Sequence, residues 1–255
     1  MKNLGLQIYT CRDFMHTEED IRYTFERVRK AGYTQIQTAG CEIPYEKYGQ
    51  LAKEAGLEIV GTHDNVQRMV DDFDGILKDH EALGTKIMGT GGQHYETVQD
   101  VYDFIEKANA IGKKCKEHGF KFTYHNHSHE FYKWPETGKT TMEMLVEGLD
   151  PETTSFVLDT FWVQTGGGDV IGWIKKLKGR IDIVHFKDMK ISKPGWGSEQ
   201  KMTEIGNGNL NWPAIIEACK EAGVKYYVVE QDRDFTYNCY DSIKRSAEFL
   251  SQFDF

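Results

Sequence analysis

Five times in this chain a helix-like stretch ends in glycine one or two residues ahead of a β-rich run: "KAGYTQI", "EAGLEIV", "ALGTKIM", "EHGFKFT" and "EAGVKYYV". Glycine at a helix C-terminus accepts the left-handed conformation that turns the chain back toward a sheet. This punctuation constrains the fold more than any other feature, because helices returned repeatedly to a new strand build parallel strands joined by crossovers. Eight β-rich runs are present: "LGLQIYT", "YTQIQTA", "LEIVGTH", "TKIMGTG", "FKFTYHNH", "SFVLDTF", "IDIVHFK" and "KYYVVEQ". Between them, apolar residues recur every three to four positions over Glu18 to Lys30, Tyr45 to Ala55, Val66 to Leu83, Val98 to His118 and Trp212 to Ala222, which predicts amphipathic helices.

Eight βα units in 255 residues match the count and size of a (β/α)8 TIM barrel, so the expected fold is α/β, one barrel domain over residues 1–255. A doubly wound open sheet is the alternative. It would normally carry a glycine-rich phosphate turn after its first strand, where this chain has "YTCRDF". The longest irregular stretch, Lys190 to Asn211, follows the seventh run. It is a candidate lid, as is the shorter segment after Phe131.

Composition narrows the function. A formal charge of −9 offers no electrostatic footprint for nucleic acid or an anionic lipid surface. No apolar run reaches the length of a membrane span. Cys11, Cys41, Cys115, Cys219 and Cys239 are odd in number and scattered without a CxxC pair, as expected of reduced thiols in a cytoplasmic protein. The first β-rich run starts close to Met1, so no signal peptide is expected. The expected partner is a small molecule, and a homo-oligomer is left open.

TIM barrels build their chemistry at the C-terminal ends of the strands. Alternate positions share one face of a strand, and that face presents Gln7 and Tyr9 on the first run, His63 on the third, and His125 and His127 on the fifth. Runs six, seven and eight present Asp159, then His185 and Lys187, then Glu230. A lone strand-end Asp or His usually caps a helix or binds backbone. Four compatible ligands on four strand ends are harder to explain that way. His125, Asp159, His185 and Glu230 are therefore the candidate ligands of one divalent ion, and mixed N and O donors without thiolate suit Mn2+, Mg2+, Co2+ or Zn2+. His127 lies one pleat farther out, where substrate contact is expected. Glu130 reads either as a proton-transfer group or as a solvated loop charge. Gln7, Tyr9, His63 and Lys187 are candidates to orient substrate oxygens, and Phe161, Trp162, Trp196 and Tyr237 to wall a sugar-sized pocket.

The motifs "GLQIYT", "GTHDN", "YHNHSHEF", "FVLDTF", "VHFKDM", "GNGNLNWPAII" and "VVEQD" are similar, in this order, to those of the sugar phosphate isomerase/epimerase family, the xylose isomerase-like barrels. The resemblance covers essentially the whole chain. It implies one divalent ion held by Glu, Asp, His and Glu from strands five to eight. Asp159, His185 and Glu230 match the last three, and His125 stands where the family has its strand-five Glu. It further implies an isomerase or epimerase of a sugar or keto-sugar, phosphorylated or not, with Glu230 as acid–base and Glu130 or His127 as its partner. The histidine-rich fifth strand also resembles that of inosose dehydratase, which makes a dehydratase or lyase the second expectation. A nuclease of the related endonuclease IV type would need more ligands and a basic groove, and Gln37 stands where many relatives have an acid. A non-catalytic sugar-binding barrel would keep the aromatics and lose the metal.

Overall fold

The five glycines that punctuate the sequence all adopt positive φ, from 71° at Gly56 to 109° at Gly32. Each hands a helix over to a strand as the pattern requires. A computed structural model of the chain describes residues 3–254. Its strands are β1 (Leu4–Gln7), β2 (Gln35–Thr38), β3 (Glu58–Thr62), β4 (Ile87–Thr90), β5 (Lys121–His125), β6 (Thr154–Asp159), β7 (Ile181–Phe186), β8 (Asp188–Ile191), β9 (Gln200–Thr203) and β10 (Tyr226–Val229). Eight of them form one sheet in the order β3-β2-β1-β10-β7-β6-β5-β4, and every neighbouring pair is parallel. The two ends of that sheet approach each other, and just beyond β3 the Asp64 N–H donates to the Gly89 carbonyl of β4 at 2.7 Å. The result is a nearly closed barrel.

The helices are α1 (Glu18–Lys30), α2 (Tyr45–Glu54), α3 (Val66–Asp71), α4 (Phe73–Leu83), α5 (Val98–Glu117), α6 (Thr141–Gly148), α7 (Thr160–Thr165), α8 (Val170–Lys176), α9 (Trp212–Ala222) and α10 (Cys239–Leu250). Short 3-10 turns cover Ile8–Phe14 and His129–Phe131. The single helix expected over Val66 to Leu83 is two. Asp72 leaves the helical region at φ −138°, and its carboxylate caps the next helix through the Gly75 N–H at 3.1 Å. No helix among the described residues is long and apolar enough to cross a membrane.

The main core lies between sheet and helices and includes Phe25, Tyr33, Phe122, Phe156 and Phe186. A smaller apolar plug of Val60, Val157, Ile183 and Val228 fills the barrel itself. Packing there is close: a Cβ on Gly89 would lie 2.1 Å from Thr123 Oγ1. Polar side chains occupy the layer above.

The stretch Lys190 to Asn211 is not structureless, because the antiparallel hairpin β8–β9 starts at Asp188 and runs through it. Two buried carboxylates fasten it. Asp188 accepts the N–H groups of Gly206 and Gly208 at 2.9 and 3.1 Å and the Trp212 Nε1–H at 2.8 Å. Glu204 accepts the Thr236 N–H at 2.9 Å and the hydroxyls of Thr236 and Ser242 at 2.7 Å each. This ties the hairpin's end to the segment after β10 and to α10. Burial works against the Glu204 charge, but the Ser242 and Thr236 hydrogen bonds outweigh it and hold the carboxyl at about 2.

Candidate active site

Strand register and parity decide which side chains meet above the plug. Asp159 and His185 are direct cross-strand partners on β6 and β7, and His185 pairs with Val228 on β10, which puts Glu230 one pleat beyond it. His125 closes β5 opposite Val157. One ligand atom from each of His125, Asp159, His185 and Glu230 falls within 4.8 Å of all the others, and the four residues are buried.

The hydrogen bonds around them set which atoms face inward. His125 Nδ1 lies 3.1 Å from the Gly91 carbonyl and donates to it, which turns Nε2 toward Asp159 Oδ2 at 3.3 Å. His185 Nε2 lies 2.5 Å from Gln37 Oε1, and a carbonyl oxygen only accepts, so Nε2 carries a hydrogen; burial lowers the ring's pKa and favours the neutral form, in which Nδ1 is bare. That bare nitrogen is 2.9 Å from Glu230 Oε2 and 3.9 Å from Asp159 Oδ2. His185 Nδ1 is buried without a hydrogen-bond partner, and Glu230 Oε2 beside it faces the Lys187 ammonium at 2.8 Å. Two lone-pair donors pressed together in this way are stabilised by a shared cation. The outer bonds from Gly91 and Gln37 orient the rings as metal-ligating histidines are usually oriented. The four side chains therefore fit a divalent ion.

Lys187 sits among the same acids. Its ammonium is 3.0 Å from Asp159 Oδ2, 2.8 Å from Glu230 Oε2 and 3.0 Å from Asp232 Oδ2, fully buried. Burial opposes the charge on Lys187, but the three carboxylates outweigh it and raise its pKa. Glu230 is held well below the ordinary range: burial pushes it up, and Lys187 and His185 pull it down further. Asp232 moves the other way, to about 6, through burial and the Glu230 charge.

The remaining candidates fall into two groups. His63 stacks on His125 with centroids 5.0 Å apart and lies 5.5 Å from His185. Burial, then the neighbouring imidazoles, keep it neutral, with Nε2 unpartnered. His127 packs against His125 at 4.8 Å and Trp162 at 5.2 Å, and burial followed by His125 lowers its pKa to about 3. Its Nδ1 also has no partner. Gln7 is buried in the barrel, where its Oε1 accepts the Tyr9 N–H at 3.2 Å, while Tyr9 is exposed on the 3-10 turn. Glu130 is not brought to the cluster. One oxygen accepts the Tyr124 hydroxyl at 2.6 Å and the other the His127 N–H at 2.8 Å, so it braces the "YHNHSHEF" loop.

A cavity of about 450 Å3 opens above the cluster, with Tyr9, His63, His127, Trp162, Lys187 and Glu230 in its wall. Of the aromatics expected there, Phe161 is in the core, and Trp196 and Tyr237 are exposed. Asp232, Arg12 and Arg233 also line the cavity and were not among the sequence candidates. Asp232 has the inward parity of Glu230, which is a legible signal. The two arginines come from the 3-10 turn after β1 and the loop after β10, where periodicity gives none.

Residues 25–253 match the family described as Xylose isomerase-like TIM barrel. An inosose dehydratase of Geobacillus thermodenitrificans is 30% identical over 145 residues, 51% of this chain and 46% of that protein. The chain spans about half or less of the length of the curated relatives it matches. A sugar phosphate isomerase/epimerase of Parabacteroides distasonis superposes with a TM-score of 0.78 at 25% identity, covering 98% of this chain and 94% of that one. The IOLI protein, whose structure holds a bound zinc atom, gives 0.72 at 15% identity, covering 98% and 97%.

Proposed function

The chain belongs to the xylose isomerase-like TIM barrel family, and on that footing we propose that it is a divalent-metal-dependent isomerase or epimerase of a sugar or keto-sugar. One observation carries the reading: four buried N and O ligands converge, with the bare His185 Nδ1 facing Glu230 Oε2 at 2.9 Å. His125, Asp159, His185 and Glu230 would hold the ion, which supplies Lewis acidity at a substrate carbonyl and so acidifies the adjacent C–H. The zinc of the IOLI protein supports such a centre.

Glu230, ionised at neutral pH, takes the carbon-bound proton. Returning it from the same carboxylate to the neighbouring carbon, while the hydroxyl proton passes between the two adjacent oxygens, isomerises the sugar, which needs one carbon base on one face. Epimerisation needs a second carrier on the other face, and His127, whose Nδ1 has no partner, is our assignment. Lys187 keeps Glu230 anionic and Trp162 walls the sugar. His63, Gln7 and Tyr9 orient hydroxyls, with His63 adding no charge.

Elimination of water is the second reading, favoured by the inosose dehydratase relatives and by a fifth strand that ends in His125 rather than a second acid. It shares the first step, after which Glu230 would pass the proton it has taken to the departing hydroxyl, with His127, held neutral by burial, in contact with the substrate.

Elemental analysis of wild type beside His125→Ala and Asp159→Ala tests the centre. About one ion per chain is expected in the wild type and less in both variants. Incubating the metal-loaded protein with ketoses and inososes in D2O then separates the reactions by NMR. Deuterium entry without loss of water identifies isomerisation, and an unsaturated product identifies elimination. A wild type that takes up no metal when supplied with it would defeat both readings.

A further inference from the structure

Charge around Lys187 is short by two positive charges, which the cluster's ion would supply, whereas at the cavity's edge the excess is positive. Three carboxylates, Asp159, Glu230 and Asp232, surround the one ammonium. A divalent ion in the cluster would bring that group to neutrality. Arg12 lies outside this balance. Its guanidinium donates to the carbonyl oxygens of Tyr9 at 3.1 Å and Asp232 at 2.9 Å and rests 4.5 Å from the centre of the Tyr9 ring. Among the described residues no carboxylate pairs with it. Arg233 follows Asp232 directly, lines the same cavity and has its guanidinium 5.7 Å from the centre of the Trp162 ring. Its acidic neighbour is Asp234, at 3.7 Å.

A guanidinium has five donors, and two neutral carbonyls use two of those on Arg12. They fix the group without neutralising it, so it is preorganised and still carries its full charge. Arg12 also lines an adjoining chamber of about 230 Å3 bounded largely by Ile8, Met15, Ala39 and Tyr48. Among the described residues no second cation lines that chamber, and the acid in its wall, Glu42, is paired with His16 at 3.0 Å.

We propose that Arg12, assisted by Arg233, binds an anionic group of the substrate, a carboxylate or a phosphate, on the same sugar whose carbonyl the cluster engages. The assignment rests on the keto-sugar reading and narrows it to sugar acids or sugar phosphates. Arg12 acts as a specificity residue and does not take part in the chemistry.

Calorimetry on the Mn2+-loaded protein tests this with D-fructose, D-fructose 6-phosphate and 2-keto-D-gluconate, for wild type and Arg12→Gln. At least one anionic probe should bind wild type about tenfold tighter than fructose, the scale of a charge-assisted hydrogen bond. Arg12→Gln should bring the anionic probes down to the affinity that the same variant has for fructose. The tighter of the two anionic probes identifies the group. Equal affinity for all three sugars in wild type, or a preference that survives in Arg12→Gln, would overturn the assignment while leaving the keto-sugar reading intact. Failure of every sugar to bind would remove the keto-sugar reading and this assignment together.

Discussion

Replacing Lys187 with Met keeps most of the stem's volume and removes the ammonium from between Asp159, Glu230 and Asp232. The three contacts are 3.0, 2.8 and 3.0 Å long, and the side chain is fully buried. Removing one partner of a buried ion pair usually costs about 3–5 kcal/mol, because the remaining charge is left uncompensated. Here one cation serves three acids, so the upper half of that range applies to the metal-free protein. For a chain of this size each kcal/mol moves Tm by roughly 2–4 °C, giving a fall on the order of 10 °C. A divalent ion restores positive charge beside Asp159 and Glu230, so saturating Mn2+ should raise the Tm of Lys187→Met by more than it raises that of wild type. Scanning calorimetry of chelator-treated protein, with and without Mn2+, measures both quantities. A metal-free variant within about 1 kcal/mol of wild type, the scale of an exposed ion pair, would refute the argument that this charge holds the acids together. So would a metal response no larger than that of wild type.

Glu204→Gln is a test by pH. The native carboxyl is held at about 2, below the ordinary glutamate range, so its contribution is complete above the unfolded-state pKa and is lost as pH falls toward 2. The variant should be about 2 kcal/mol less stable near neutrality, with the gap closing in acid, as read from urea unfolding across pH; a constant gap would contradict this account. Gln37→Leu removes the acceptor that fixes His185 and should weaken metal binding by about 10–100-fold in chelator competition. Gly89→Ala forces a Cβ to within 2.1 Å of Thr123 Oγ1 and 2.7 Å of its carbonyl oxygen, and should destabilise the fold by about 1–3 kcal/mol in the same urea assay.

Much of this architecture is legible in the sequence because local and global signals agree. The glycine stops are local backbone requirements, and α1 and α9 begin and end where the apolar periodicity does. Break points were harder to see. Asp72 sits inside an unbroken apolar pattern, and its capping bond to Gly75 outcompetes helix continuation. The hairpin β8–β9 hid in a lysine-rich segment whose strands leave Lys190 and Ile191 partly or fully exposed, so no apolar alternation marks them. At the site, strand parity alone placed Asp159, His185 and Glu230 together, since a strand end has only one inward direction. Parity fails once a strand gives way to a turn. Glu130, five residues past the end of β5 at His125, turns back under the loop instead of into the barrel. The central position of Lys187 depends on three strands at once, and that of Arg12 on the carbonyl of Asp232, which lies far from it in sequence.

The barrel's own join has a mechanical meaning. Between β3 and β4 no strand ladder is formed among the described residues, and closure falls to the Asp64–Gly89 bond and to side chains such as Val60 and Ile87. In this sense the barrel is a curled ribbon with a clasp. Parting the clasp separates side chains instead of unzipping a row of peptide bonds, so the least expensive excursions of the native state should begin there, and the amides of β4 should exchange with solvent sooner than those of β6 or β7. His63 and Gly91 stand directly above the clasp. Slack in the ribbon would reach the cavity wall through them and pass to His125, which stacks on His63 and donates to the Gly91 carbonyl.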